Sequence, residues 1–320
     1  MTEGAAVGIG LSAAVIAVEN EAPEILVTRG DDGRAGLPSG AFDPARDRTL
    51  EIALRTSIAR QTALDVGYVE QLYTFGDRGR AVAPQARHMV SIGYLALTRR
   101  PRDRTALEAA GASFRPWYAY FPWEDWRRRR PEMLDAAILP ALGDWIAEAP
   151  EAETGRALSR LARARLCFGI DGAPWDEEKV LDRYELLYEA GLVEEARRDC
   201  RPAALERRDP PRLGEAMRDD HRRILATAMG RLRAKLKYRP VVFELMPPRF
   251  TLTALQLTVE AVAGRRLHKQ NFRRLVEAAA LVEPTGDAET RTGGRPAALY
   301  RFRREVIEER PAPGLRFRRG

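Results

Sequence analysis

Apolar positions change their spacing twice along the 320-residue chain. In the first third they come in short runs. Val7–Val18 is apolar and partly β-branched, which predicts a strand, and Glu24–Thr28 predicts a second, with a turn beyond it at Asp31-Asp32-Gly33. The segment Gly36-Leu37-Pro38-Ser39-Gly40-Ala41-Phe42-Asp43-Pro44 is so rich in turn formers that it reads as a loop containing neither helix nor strand. Thr49 is placed to cap a helix in which Leu50, Ala53, Leu54 and Ile58 recur at spacings of three and four. Two more strands are expected around Val69–Phe75 and His88–Leu97. Phe114–Trp126 then gathers Phe114, Trp117, Tyr118, Tyr120, Phe121, Trp123 and Trp126, a segment for a core or an interface.

From about Glu132 the spacing becomes helical. Met133–Ala149, Thr154–Cys167, Glu177–Ala190 and Gly214–Lys237 all read as amphipathic helices, and Asp199–Arg212, with three prolines and mixed charges, reads as an exposed linker. No internal repeat is apparent. In the last eighty residues Leu252, Leu255, Val259 and Val262 form the stripe of a helix that Thr251 or Thr253 caps and Gly264 ends. A turn through Arg265-Arg266-Leu267 leads to a second helix, with Phe272, Leu275, Val276 and Ala279 inward and Lys269, Gln270, Arg273 and Arg274 on the other face. Leu281–Glu283 and Ala298–Arg303 then predict two strands around a loop holding Gly286, Gly293, Gly294 and Arg295. Helix, short turn, basic helix and glycine-rich hairpin together describe a winged helix-turn-helix.

Charge sharpens that reading. Residues 1–230 carry 33 basic and 37 acidic side chains, whereas residues 231–310 carry 17 and 9, and Arg316, Arg318 and Arg319 follow. The overall +7 therefore belongs to one end, the footprint of a module that neutralises phosphates. Only four of the 53 basic residues are lysines, a compositional bias that makes the segregation more informative than the arginine count. Cys167 and Cys200 lack metal-ligand spacing and His88, His221 and His268 lie far apart, which argues against a disulfide framework or a zinc module. No run is long enough to span a membrane, and the protein is expected to be cytoplasmic. The run Arg127-Arg128-Arg129-Arg130 reads as a solvated surface in preference to a nucleic-acid site.

The strongest chemical clue lies in residues 36–62. The loop Gly36–Pro44 followed by a helix resembles the motif with which phosphoanhydride hydrolases of the Nudix superfamily hold magnesium against a diphosphate, and Arg55 fits that motif's arginine when one extra residue separates loop and helix. The carboxylates do not follow. Arg46 or Asp47, then Thr56, Ala59 and Arg60, stand where the motif places glutamates, and Glu51 alone cannot hold a hard cation that needs convergent oxygens. Two readings remain open: a pocket that binds a nucleotide without cutting it, which is favoured, or an enzyme whose base lies elsewhere. No catalytic or metal-binding residue is assigned.

Further stretches extend the resemblance. Gly67–Arg80, Tyr238–Leu245, Phe250-Thr251-Leu252, Lys269–Arg274 and Gly293-Gly294-Arg295-Pro296 together resemble the Nudix-related transcriptional regulators of NAD metabolism, the NrtR-like family. The long helical middle, with Trp175–Tyr184, is similar to the alphaproteobacterial NadQ-type repressors of NAD biosynthesis. This resemblance implies an α/β Nudix-like sensor (a mixed sheet with helices) over residues 1–150, a helical connector over 151–236, a winged helix-turn-helix over 237–310 and a basic tail over 311–320. It also implies a repressor governed by a nucleotide effector, NAD, ATP or ADP-ribose, bound by Ser39, Arg55, Asp77, Arg78 and Arg80. Thr251, Thr253, His268, Lys269, Gln270, Asn271, Arg273, Arg274 and Arg295 would contact DNA, Arg or Lys suiting guanine and Gln or Asn adenine. Helix-turn-helix proteins read pseudo-palindromic operators as dimers, so a homodimer is expected. The rival reading is a Nudix-type hydrolase of nucleoside diphosphate derivatives with a basic nucleic-acid-binding tail.

Overall fold

The computed structural model describes residues 7–30, 33–77, 88–101, 103–148, 158–289, 296–309 and 314–315. Its N-terminal elements are β1 (Gly8–Glu19), β2 (Ala22–Arg29), β3 (Ala35–Gly36), β4 (Ser39–Ala41), α1 (Leu50–Thr62), β5 (Tyr68–Phe75), β6 (Met89–Leu97), α2 (Thr105–Ala109) and β7 (Ala112–Pro116). They form one mixed sheet in the order β3-β2-β1-β6-β5, with β4 added to the start of β1 and β7 to β2. Among the described strands of this sheet only the β1–β6 pair is parallel. The β1–β2 hairpin closes on Asn20 and Glu21, both with positive φ, as a two-residue turn between twisted strands requires.

Both faces of the sheet are covered, which is why β1 reads as an unbroken apolar run. Leu11, Ala13, Val15 and Ala17 point to α1, where they meet Leu54 and Ile58; Ala14 and Ile16 point the other way, into the larger core. Thr49 caps α1 by accepting from the Ile52 amide at 3.2 Å. The segment 36–44 departs from the expectation of a plain loop, because β4 pairs with β1 through Gly10–Ser12. Here backbone pairing decides over side-chain preference: Gly40 lies so close to α1 that a Cβ there would collide with Ser57 Oγ.

Beyond β7, the aromatic segment is core. Trp117, Tyr120, Phe121 and Trp123 are fully buried, in and between two single 3₁₀ turns at Trp117–Ala119 and Pro122–Glu124. The helices that follow are α3 (Leu139–Ala147), α4 (Arg160–Phe168), α5 (Val180–Glu189), α6 (Glu194–Arg198), α7 (Pro202–Leu205) and α8 (His221–Lys235). A π-helical turn at Leu134–Ile138 precedes α3, next to Pro140, whose missing N–H interrupts the regular ladder. Ser159 caps α4, so that helix starts later than the periodicity implied; residues 154–157 lie outside the described residues. The start expected at Gly214 is likewise corrected to His221. Gly214 and Asp219 adopt positive φ, and the segment between them is pinned to the sheet end by Arg218 N–H donating to Ala35 O at 2.8 Å. Asp199–Arg212 is not a free linker either: it contains α7, buries Ala204, and accepts a 2.9 Å bond from the Tyr188 hydroxyl at Asp199.

Although the sequence grouped α8 with the connector, it packs against β1, β5 and β6 and forms the sheet's second covering layer. A Cβ on Gly93 of β6 would come within 3.0 Å of Ile224 on α8, a measure of how closely the two approach.

The C-terminal part consists of a 3₁₀ turn at Val241–Glu244, α9 (Leu252–Ala263), α10 (Lys269–Ala279), β8 (Val282–Glu289), β9 (Ala297–Phe302) and the single-turn α11 (Val306–Glu309). Thr251, not Thr253, caps α9, and Gly264 ends it with φ 73°. Phe272 and Val276 bury the inner face of α10, and Phe243 stacks on Phe302 at 4.3 Å. The hairpin is longer than expected. Gly286, assigned to the loop, sits inside β8 with φ 86°, where a register shift between Pro284 and Ala288 lets pairing resume. No helix among the described residues is long and apolar enough to cross a membrane.

Candidate nucleic-acid interface and effector cleft

The outer face of α10 is an exposed basic surface. His268 stands at the N-cap and Lys269, Gln270, Asn271, Arg273 and Arg274 are all exposed, while Phe272 and Val276 anchor the helix from behind. Arg274 Nη2 donates to Asn271 Oδ1 at 2.6 Å, which holds two of these polar heads together. Thr253 is exposed at the start of α9, whereas the Thr251 hydroxyl accepts from the Ala254 amide and is spent on capping. Arg295 lies outside the described residues. A residue the sequence did not single out sets the angle between the two helices. Buried Glu260 accepts from Leu267 N–H at 2.9 Å, from Gln256 Nε2 at 2.8 Å and from Arg266 Nη1 at 2.7 Å, fixing the turn between α9 and α10. A carboxylate on the otherwise apolar C-terminal turn of α9 was its only signal.

A cleft of about 290 Å³ opens where β4 and the starts of β1 and β6 meet the first turn of α8. Ser39 and Asp77, two of the residues expected to meet an effector, line it. Ser12, Ser91, Asp219, Asp220 and His221 line it too, and none of them was foreseen. His221 comes from 209 residues beyond Ser12, so no local pattern could have joined them. Leu37 N–H donates to His221 Nδ1 at 2.9 Å, which leaves the proton on Nε2, 3.3 Å from Ser12 Oγ. Burial, with the positive charges of Arg218 and Arg198 nearby, pushes the imidazole down to about 3, so His221 is neutral at physiological pH. Arg223 bridges Asp77 at 2.6 Å and Asp220 at 3.2 Å while lying over the Phe75 ring. Among the described residues the lining offers hydroxyls and carboxylates, which accept hydrogen bonds from sugar hydroxyls and amines.

Other proposed effector residues fare differently. Arg55 donates to the carbonyls of Val66 and Gly67 and to Glu51, so it ties α1 to the entry of β5 and does not line the cleft. Arg78 and Arg80 lie outside the described residues. On α1, Thr56, Ala59 and Arg60 share the exposed face with Glu51, itself paired with Arg55. Among the described residues no group of three or more His, Cys, Asp or Glu converges as metal ligands do. Within the arginine run, Arg127 pairs with Asp125 and lies over Tyr118, and Arg130 pairs with Asp135 and lies over Trp126, so half of it is spent on packing.

Comparison with known proteins bears on the C-terminal end and on the overall fold. Residues 242–302 match the profile of the NrtR DNA-binding winged helix domain. The chain is 45% identical over 83 residues to an ADPR responsive transcriptional repressor, NtrR, of Acinetobacter baylyi; that stretch covers 26% of this chain and 33% of the relative. The fold as a whole is similar to Shewanella oneidensis NrtR complexed with a 27mer DNA, at TM-score 0.53 and 20% identity over 94% of this chain and 95% of that one. A MutT/nudix family protein from Enterococcus faecalis is similar at TM-score 0.53 and 12% identity, over 95% and 89% of the two chains. The architecture is thus a Nudix-like α/β domain with helices and a C-terminal winged helix, and the resemblance to NrtR-like regulators drawn from the sequence is borne out.

Proposed function

We propose that this chain is a DNA-binding transcriptional repressor, of genes of NAD biosynthesis, whose Nudix-like domain senses a nucleotide. The observation that carries the reading is the exposed basic face of α10, set on a winged helix that matches the NrtR DNA-binding domain. ADP-ribose is the proposed effector, because the relative that shares 45% identity is named for its response to it. The carboxylates and hydroxyls of the sensor cleft suit its ribose hydroxyls, and Arg78 and Arg80 are proposed to meet its diphosphate through bidentate bonds. The chain acts as a homodimer on a pseudo-palindromic operator, and it does not hydrolyse its effector, since α1 presents one arginine-paired carboxylate where magnesium needs several.

A gel-shift titration tests this. The full chain is expected to retard promoter fragments of NAD-biosynthesis genes, and ADP-ribose to change the apparent affinity by ~5–150-fold, the usual span of allosteric coupling. NAD and ATP serve as comparison ligands. Failure to retard any such fragment, or magnesium-dependent turnover of ADP-ribose that survives stringent purification, would overturn the proposal.

A further inference from the structure

A second, larger cleft, of about 800 Å³, lies between α6, α7 and the buried aromatic segment. Its floor is apolar: Leu192, Val193 and Leu213 are each less than 5% exposed, and Pro122 and Met133 flank them. Its walls are rigid. Gly191 and Gly214 both have positive φ, and a Cβ on either would come within 2.5 Å of backbone, at Ala203 and at Tyr120 O. Beneath it, Arg222 holds the frame together by donating to Tyr120 O at 2.6 Å, to Leu213 O, and to Glu195 Oε2 at 3.2 Å. Such a cleft stays open because its lining cannot collapse inward.

The rim is cationic once its ion pairs are subtracted. Of the two lining carboxylates, Glu194 faces Arg34 at 3.6 Å and Glu215 faces Arg115 at 3.1 Å. Among the described residues that leaves Arg197 and Arg212 as lining charges with no ion pair. Both bonds of Arg197 leave from Nη1, to Ala204 O and Arg207 O, so its Nη2 keeps its donors, and Arg212 is exposed and makes no ion pair among the described residues. An apolar floor with arginines at the mouth fits a ligand with a flat or aliphatic body and an oxyanion head, and planar guanidinium groups favour phosphate through paired hydrogen bonds.

We propose that this connector cleft is a second ligand site, for a phosphorylated metabolite of nucleotide size. It is separate from the sensor cleft yet adjoins it: His221 lines one and Arg222, the next residue on α8, lines the other. Two ligands can therefore bias the same turn of helix.

Calorimetric titration of the full chain with ATP, and separately with inorganic pyrophosphate, tests the proposal. The double variant Arg197→Ala/Arg212→Ala is compared with Arg128→Ala/Arg129→Ala, which removes equal charge from an exposed segment elsewhere. Circular dichroism of each variant establishes that it is folded. The first pair is expected to weaken binding of at least one probe tenfold or more, about 1.4 kcal/mol, and the second pair less than twofold. Absence of binding by both probes at millimolar concentration overturns the proposal, as does an equal loss in the two double variants. Neither result bears on operator binding, which the gel shift reads independently.

Discussion

Replacing Glu124 by Gln removes one negative charge from the centre of the molecule and almost no volume. The Glu124 side chain is wholly buried, as are Arg183 and Arg233, which grip its two oxygens: Arg183 Nε at 2.6 Å and Nη2 at 2.9 Å, and Arg233 Nη1 at 2.7 Å. Burial by itself would raise the carboxyl, but the two guanidiniums outweigh it and hold the group below its ordinary value of 4.5. Without the charge, two desolvated cations face each other across a neutral amide. Breaking a buried pair from one side costs ~3–5 kcal/mol, a large part of the ~5–15 kcal/mol that holds most folded domains together. At ~2.1 cal/mol/K per residue the unfolding entropy of the 320-residue chain is about 0.7 kcal/mol/K, so the melting temperature should fall by roughly 4–8 °C. Scanning calorimetry and urea unfolding of Glu124→Gln at pH 7 make the measurement. Because the folded value is depressed, the wild-type advantage is complete above pH 4.5 and is lost as pH falls through the lower folded value. The gap between the two proteins should therefore narrow in acid. A loss under about 1 kcal/mol at neutral pH, or a gap that does not narrow, would refute the claim that this carboxylate neutralises both arginines.

Three further outcomes are expected. Arg273→Ala and Arg274→Ala should each weaken operator binding, by ~1–3 kcal/mol where the side chain meets a base edge, with no change in melting temperature, since both are exposed; retained affinity in both would mean α10 is not the reading helix. Phe272→Ala, by contrast, empties a buried site behind α10 and should cost ~3–5 kcal/mol in unfolding experiments; a change under 1 kcal/mol would show that the reader is loosely packed. His221, held neutral with a value pushed down to about 3, contributes stability that is complete above its unfolded value of 6.5 and drains away toward pH 3. Carbon-13 NMR of the labelled ring should show no protonation between pH 5 and 8, and an ordinary titration near 6.5 would contradict the buried geometry.

Much of this was legible because local rules decided it. Thr49, Ser159 and Thr251 cap helices as their side chains dictate, although only two of the three were read in advance. Gly264 ends α9 because a left-handed residue is needed there. What could not be read was set by distant partners. β4 exists because Gly10–Ser12 offers an edge to pair with, so Ser-Gly-Ala adopts a strand against its propensity. Of the residues expected to bind an effector, Ser39 and Asp77 flank features visible in sequence and line the cleft, whereas Arg55 matched a motif by spacing yet gives its donors to backbone carbonyls. Ser12 and His221 meet only because the sheet's second layer is supplied by a helix that arrives after more than a hundred intervening residues.

That helix is also where the two halves of the protein become one thermodynamic object. α8 begins in the sensor cleft with His221 and runs under the sheet, where Arg231 meets Glu70 at 2.8 Å and Lys235 meets Tyr68 OH at 2.6 Å. Near its end Arg233 donates to Val262 O on α9 at 3.0 Å, while Trp126 N–H donates to Gly264 O at 2.7 Å. At ~1.5 Å per residue its fifteen residues span roughly 22 Å, a stiff rod from cleft to reader. A ligand moves an equilibrium only by as much as it prefers one arrangement over the other, so the contacts at both ends of α8 must differ between DNA-competent and DNA-incompetent forms if the nucleotide is to act. The coupling is then reciprocal. Whatever factor the nucleotide imposes on operator affinity, the operator imposes on nucleotide affinity, and Arg233→Met, which cuts α8 from both Val262 and Glu124, should shrink the two factors together.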